Sequence, residues 1–502
     1  MELKFDRKDI GCCAEVFSQT LRKEDSQDSV VPDTMPDIGE IVCCAGDVLI
    51  RGKDVSEGRV RLEANIPARV VYAPEEGNGL YCLDVNLPLY VSMENPAIPA
   101  DAVCTAELEL AALEARTLNP RKISVRAETV FRVRCCAPSQ LESAGVPEEE
   151  TEGVNLLERC AAATPLWTAT EKTFVLTDDF TVPSAQPAAS SVLCSTAQPR
   201  VEEIKCVGNK LVVKGEVCSS LVCLSEEGEV FSLRFDTGFS QVVDAGPLPE
   251  ECWAAAALLV SGEQYALGSD GRGGSMELHL VLQVSVYGKT ELKSVTDAYS
   301  SRYPIEIETE STELEQIRGE TVLRETLRET LSTAMPVAEV IEVLTVPGLP
   351  EAEGGTVTLP LLVQLLYRAQ DGTLCAARKS YTLRLSQDLG LGQRLEPVGV
   401  TVQETTASPA AGGVELRVPV ELRALLREME SLTRIKRLEY DETASLDLTE
   451  RPSLVLLRAT AADDLWTIAK KYCSTVRAIT EANGLEELGP GWEKLILIPK
   501  TV

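Results

Sequence analysis

The stretch "VPDTMPDIGEIVCCAGDVLI" (residues 31–50) returns twice in altered form, as "VPSAQPAASSVLCSTAQPRV" (182–201) and "STAMPVAEVIEVLTVPGLPE" (332–351). In each copy a Pro-bearing turn opens onto a run of small and β-branched apolar residues. Pro36 lies 41 positions before Gly77 of "EEGNG" (75–79), and Pro187 lies 41 before Gly228 of "EEGE" (226–229). In the third copy Pro336 precedes Gly372 of "QDGT" (370–373) by 36. A glycine in a short polar break between two alternating runs reads as a hairpin. Each copy then closes in a strand-like run: "KISVRAETVFRVR" (122–134), "MELHLVLQVSVY" (276–287) and "VELRVPVELRALL" (414–426). The same order of elements three times is an internal repeat. Each unit exceeds 100 residues, enough to bury its own core as a small β-sandwich or barrel.

Within these runs the period of two is the strand signature. In the first, Ile123, Val125, Ala127 and Thr129 share a face, and a change of phase is expected after Thr129, toward Phe131 and Val133 with Val130 out of step. The charged stretch "ETESTELEQIRGETVLRETLRET" (308–330) is open to two readings. Leu323, Leu327 and Leu331 stand four apart, as on a helix, but Gly319 and the threonines disfavour one. "SAGVPEEETEGVN" (143–155) reads as a linker and "TTASPAAGG" (405–413) as a loop. The expected division is 1–145, 146–305, 306–449 and 450–502.

The 502-residue chain carries 48 basic and 78 acidic side chains, a formal net charge of −30. That balance repels nucleic-acid phosphates and anionic lipid heads, so neither nucleic acid nor membrane insertion is expected. The basic runs at 324–328 and 434–437 are diluted by Glu325, Glu329 and Glu439. The opening "MELKFDRKDIGCC" has no apolar segment of signal-peptide length, and the longest apolar run, 254–260, is far short of a bilayer span. A cytoplasmic protein is expected. Its 16 cysteines include the neighbours Cys12–Cys13, Cys43–Cys44 and Cys135–Cys136, whose side chains point to opposite faces of a strand. They read as small core residues in a reducing cell, with a disulfide framework as the alternative.

Chemistry-bearing constellations are scarce. His279 is the one histidine and stands between Leu278 and Leu280, so it is expected on a solvated strand face. A Ser-His-Asp or Cys-His arrangement would rest on it alone, and there is no C-x-x-C pair for zinc. "YGKT" (287–290) lacks the first glycine of a phosphate loop, Gln283 standing there, and "GSDGRGGS" (268–275) misses the dinucleotide spacing. The many acids, Glu148–Glu150 among them, read as solvated faces and linker. A non-enzymatic protein with no cofactor and no metal is expected.

The end of the chain breaks the β rhythm. "SLVLLRA" (453–459) reads as a strand and "LILIP" (495–499) as its return. Between them "DDLWTIAKKYCSTVRAITEANGL" (463–485) places Leu465, Ile468, Ala469 and Tyr472 on one helical face. Asp463 is expected to cap that helix, and Ser474 or Thr475 a second one with Val476, Ile479 and Ala482 inward. Asn483–Gly484 then stops it, completing a βααβ unit.

This unit resembles a LysM domain, whose usual opening is G-D-T-L-W-x-I-A and whose close is A-N-x-L followed by G-x-x-L-x-I-P. "ADDLWTIA" (462–469) keeps Asp463, Leu465, Trp466, Ile468 and Ala469, with Ala462 for the glycine and Asp464 for the threonine. "EANGLEELGPGWEKLILIP" (481–499) keeps Ala482, Asn483, Leu485, Gly491, Leu495, Ile498 and Pro499. The resemblance implies a groove between two loops, carried here by Ala462, Asp463, Asp464, Leu465 and Trp466 and by Asn483, Gly484, Leu485, Pro490 and Gly491. In LysM domains such a groove takes glycans containing N-acetylglucosamine, such as peptidoglycan.

The repeats resemble the SPOCS domain of spore-coat-associated proteins, through "VPDTMPDIGEIV" (31–42), "GRVRLEANIPARVVYAPEEG" (58–77), "GNKLVVKGEVCSSLVCLSEEG" (208–228) and "GGTVTLPLLVQLLYRAQDG" (354–372). "SVTDAYSSRYPIEIE" (294–308) also resembles a feature of that family. Repeated SPOCS domains before a terminal LysM are the layout of SipL-type coat morphogenetic proteins of spore-forming clostridia. The resemblance implies a mainly β chain of three sandwich- or barrel-like SPOCS repeats followed by a small βααβ LysM domain. It implies a scaffold in the mother-cell cytoplasm whose LysM holds the coat-morphogenetic ATPase, stage IV sporulation protein A. The patch around Trp466 would be the docking surface, and glycan binding in the same groove is the alternative.

Overall fold

The computed structural model describes residues 2–5, 8–77, 79–143, 152–446, 452–460, 464–484 and 494–500. The chain is mainly β. The first repeat comprises a long leading strand β1 (Lys8–Val30), then β2 (Ile38–Ala45), β3 (Leu49–Ser56), β4 (Arg59–Pro74), β5 (Tyr81–Glu94), β6 (Val103–Asn119) and β7 (Lys122–Ser143). The second runs through β8 (Val154–Ala163), β9 (Leu166–Thr181), β10 (Ala189–Val207), β11 (Lys210–Ser225), β12 (Val230–Asp244), β13 (Cys252–Leu267), β14 (Gly273–Gly288) and β15 (Thr290–Ser300). The third holds β16 (Ile305–Ser332), β17 (Val337–Pro347), β18 (Glu351–Glu353), β19 (Thr356–Ala369), β20 (Leu374–Ser386), β21 (Gln393–Val402), β22 (Thr406–Ala410) and β23 (Gly413–Tyr440). The last unit is β24 (Leu454–Ala459), α1 (Leu465–Tyr472), α2 (Val476–Asn483) and β25 (Lys494–Pro499).

The three repeats share one plan. A hairpin sheet (β4, β11 or β19 at its centre) faces a second sheet in which the closing strand returns antiparallel along the leading strand: β7 on β1, β14 on β9 and β23 on β16. The apolar faces of the two sheets meet, as in a sandwich. In the first repeat Leu62, Ile66 and Val70 of β4 pack in one core with Val125, Phe131 and Val133 of β7. The glycine turns at 75–79, 226–229 and 370–373 do join hairpin strands, with Gly77, Gly228 and Gly372 at positive φ. The Pro-bearing turns are braced alike in the first two repeats. Arg121 donates to the Met35 carbonyl (2.8 Å) and Arg272 to that of Gln186 (2.7 Å).

Two local expectations change and one open reading is decided. The phase of β7 does not shift: Thr129, Phe131, Val133 and Cys135 continue the buried face begun at Ile123. Odd positions simply stay odd, and the irregularities lie on its partners, at Glu15/Phe17 and Leu110/Ala112. The stretch 308–330 is strand, not helix, with Leu323, Leu327 and Leu331 buried. A spacing of four is even, so it keeps one face of a strand as well as of a helix, and Gly319 sits at a register shift. The expected loop 405–413 contains β22, paired with β23 up to Ala410↔Gly413. The linker reading at 143–155 falls largely on residues 144–151, outside those described.

The repeats close on one another head to tail. Cys82 of the first donates to the Leu193 carbonyl of the second (3.2 Å), and Ser232 of the second to the Ile341 carbonyl of the third (2.8 Å). Arg378 of the third donates to the Leu113 carbonyl of the first, which completes the circle. Val71, Val222 and Leu366 hold equivalent places, each one residue before Tyr72, Cys223 and Tyr367, and all three share one buried cluster. Leading strands of the first two repeats also touch, at Cys13↔Leu166, and so fuse six strands into one sheet.

A buried ionic knot joins the three. Arg427 of β23, 5 % exposed, pairs with Glu315 (2.7 Å) and Glu396 and lies over the Tyr287 ring at 4.4 Å. Arg134 of the first repeat reaches the same Glu396. No helix among the described residues is long and apolar enough to cross a membrane. Replacing Arg427 by Met leaves Glu315 with Arg394 and Glu396 with Arg134 as their remaining cations. The expected loss is about 1–3 kcal/mol of unfolding free energy, read from the urea midpoint.

Candidate functional site

The C-terminal unit is the candidate site. Strands β24 and β25 pair antiparallel, and Ala459, Leu465, Ile468, Ala469, Ile479, Ile496 and Ile498 form its core. The cap of α1 differs from the expectation. Asp464, not Asp463, accepts from the Thr467 backbone N–H (2.8 Å) and hydroxyl (2.5 Å). These bonds hold its carboxyl below the usual carboxylate range. Thr475 caps α2 by accepting from the Ala478 N–H (3.0 Å). Ser474, the other candidate, is buried and donates to the Pro499 carbonyl (2.5 Å). Gly484 ends α2 in the left-handed region at φ 61°.

Of the expected groove residues, Ala462, Asp463, Leu485, Pro490 and Gly491 lie outside the described residues. The other five have structural partners or core positions. Leu465 is core. The Asn483 amide donates to the carbonyls of Ile479 and Leu497 and accepts from the Leu497 N–H, all at 2.7 Å, tying α2 to β25. Gly484 supplies the stop and Asp464 the cap.

Trp466 departs most from the expected open docking patch. Its indole N–H donates to Asp297 of β15 at 2.8 Å, and its ring stands edge-on to Tyr299 with centroids 4.8 Å apart. Lys470 pairs with both oxygens of Asp297 (2.6 and 2.8 Å). The Tyr299 hydroxyl donates to the Ser474 carbonyl (2.8 Å), and its ring belongs to the core of the C-terminal unit. A register shift at Val295/Asp297 sits beside these residues, where a bulge re-aims side chains. The second repeat therefore supplies a dock that completes the unit. Burial alone would raise the Asp297 pKa, but the bonds from Lys470 and Trp466 outweigh it and hold the carboxyl low.

The opposite face of the unit presents exposed leucines among the described residues. Leu454, Leu456 and Leu495 are 52, 61 and 59 % exposed, on the face of the β24–β25 pair turned away from the helices. Elsewhere, His279 is exposed and its ring bonds Glu277 (2.8 Å). Among the described residues no group of three or more His, Cys, Asp or Glu side chains is set to hold a metal. Between the first two repeats Asp47 Oδ2 and Glu263 Oε2 are shut off from solvent and lack a hydrogen-bond partner among the described residues. Burial raises both pKa values, and the Asp47 charge raises that of Glu263 further. No protein-family profile, curated protein or solved structure matches the chain.

Two outcomes follow from this geometry. Asp297→Ala removes the dock, so amide exchange in α1 and α2 is expected to quicken by about tenfold or more, read by hydrogen–deuterium mass spectrometry. Because the Asp297 pKa is depressed, its contribution is complete above the ordinary value of 3.8 and is lost as pH falls through the folded value, so the parent dock weakens only in acid. The raised pair works the other way. From about pH 4 upward the folded chain holds protons at Asp47 and Glu263 that the unfolded chain releases, so stability falls as pH rises. Glu263→Gln is expected to raise the thermal midpoint at about pH 8, with the gain shrinking toward about pH 4, read by calorimetry across that range.

Proposed function

We propose that this chain is a non-enzymatic scaffold of spore-coat assembly, with three SPOCS-like repeats and a LysM-like C-terminal unit. The unit docks a coat-morphogenetic ATPase of the stage IV sporulation protein A type, in the mother-cell cytoplasm at the forespore surface. The observation that carries this reading is the exposed leucine strip of Leu454, Leu456 and Leu495. Exposed apolar strips of this kind are what protein partners cover.

Two further observations favour a protein partner over a sugar. A glycan groove needs free hydrogen-bonding groups and an open aromatic face. Here the Asp464 carboxylate is engaged in capping, and the Trp466 indole N–H is bonded to Asp297. The dock also holds the unit with its helices toward the second repeat and its leucines outward.

The test uses the full chain carrying Leu454→Asp and Leu456→Asp. Both positions are exposed, so the folded state is expected to keep its thermal midpoint within a degree or two. Capture of the purified ATPase is expected to fall about tenfold or more. Retention of the parent chain on insoluble peptidoglycan, competed by chito-oligosaccharide and without ATPase capture, would overturn the scaffold reading in favour of glycan binding.

A further inference from the structure

All 16 cysteines are free thiols, and five of them are buried. Cys104 and Cys135 neighbour each other but are 6 and 0 % exposed, closed to any oxidant. Cys160 is exposed, with no second sulfur placed against it among the contacts of the described residues. One pair differs. The sulfurs of Cys206 and Cys252 are 3.0 Å apart, Cys206 is exposed and Cys252 is half-buried. That separation is about 1 Å longer than a disulfide bond, a gap that small side-chain rotations close.

The position of the pair gives such a bond a consequence. Cys206 lies near the end of β10, an edge strand of the hairpin sheet, and Cys252 begins β13, an edge strand of the six-stranded sheet. Backbone pairing does not join these two edges. In the first repeat Val55 holds the place of Cys206, pairing with Val60 as Cys206 pairs with Leu211. The thiol pair is therefore a feature of the second repeat's sequence rather than of the shared plan.

We propose that Cys206 and Cys252 are a reversible disulfide site that, under oxidising conditions, ties the edge strands β10 and β13 of the second repeat together across a seam that carries no backbone ladder. The co-reactant is a small disulfide of the glutathione class. The Cys206 thiolate, reached from solvent, attacks one sulfur of that disulfide, and the other half leaves as a thiolate. The Cys252 thiolate then attacks Cys206 Sγ, forms the internal bond and expels the second thiol. The two protein thiols lose two electrons and two protons, and the oxidant gains them as two thiols. Burial, and then the neighbouring sulfur, raise the Cys206 pKa, so exchange is slow at neutral pH and quickens as pH rises. The crosslinked residues stand 46 apart, so the bond also restricts the unfolded chain.

The experiment incubates the full chain with oxidised glutathione, blocks residual thiols by alkylation and maps peptides by mass spectrometry. The expected product is the Cys206–Cys252 crosslinked peptide pair, reversed by dithiothreitol and formed faster at about pH 9 than at about pH 7. The oxidised chain is expected to melt roughly 5 °C or more above the reduced one, a shift absent in Cys206→Ser and in Cys252→Ala. Alkylation of both residues after oxidation, or a glutathione adduct on Cys206 that never resolves, would overturn the proposal. So would a thermal shift that persists in either variant. Two single variants at different burial keep the test sound, because the reduced forms report any loss of folding directly.

Discussion

The long backbone ladder between the leading and closing strands of each repeat is the constraint on which the rest depends. In the first repeat it runs from Lys8↔Ser143 to Val30↔Lys122, and in the third from Ile305↔Tyr440 to Ser332↔Gly413. These pairings join residues far apart in sequence, so their closure entropy is repaid only when the intervening hairpin sheet packs beneath them. Once the ladder is made, the Pro-bearing turn is held in place. Val31 donates to the Arg121 carbonyl and Val182 to that of Arg272, each at 2.9 Å. The central strand then presents Val71, Val222 or Leu366 toward the junction. One local plan, repeated, thus gives three surfaces that can meet.

The C-terminal unit depends on the same scaffold for its core. Two short helices and two six-residue strands bury little apolar surface by themselves. Tyr299 fills part of that deficit from outside, and Asp297 answers both the Trp466 indole and the Lys470 ammonium. Folding of the unit and completion of the second repeat are therefore coupled through one strand. The arrangement also sets which face stays open, since the helix side is occupied and the strand side is not.

Much of the fold was legible in the sequence because period-two alternation and glycine hairpins are local signals. The three copies, their turns and the βααβ order could be read from spacing alone. The helix-or-strand ambiguity at 308–330 could not be resolved that way, since leucines four apart satisfy both periods. Pairing with β23 decides it, and that partner lies about a hundred residues away. The site was legible only in part. Trp466 and Asn483 were visible as special residues, but their roles were not. An aromatic on a short helix gives no sign of whether it meets solvent or a strand of a distant repeat. Asp297 and Tyr299 sit in an ordinary strand pattern, and nothing local marks them as the other half of a contact. The step from Asp463 to Asp464 as cap is a matter of one residue of helix boundary, the least secure feature of any pattern reading.

The head-to-tail contact among the repeats carries a consequence for the chain's associative behaviour. Each repeat brings the equivalent residue of its central strand, Val71, Val222 or Leu366, to one shared cluster, and Arg378 of the third repeat also bonds the Leu113 carbonyl on β6 of the first. A heterologous contact that closes in this way is self-limiting, whereas one that fails to close propagates. The third repeat is thus a terminator as well as a domain. A chain that ended after the second repeat would leave two complementary faces open to solvent, with Val71 and Val222 lacking the cover that Leu366 gives them. With all three repeats on one chain, covalent continuity brings the three surfaces together at high effective concentration, so closure needs no second molecule.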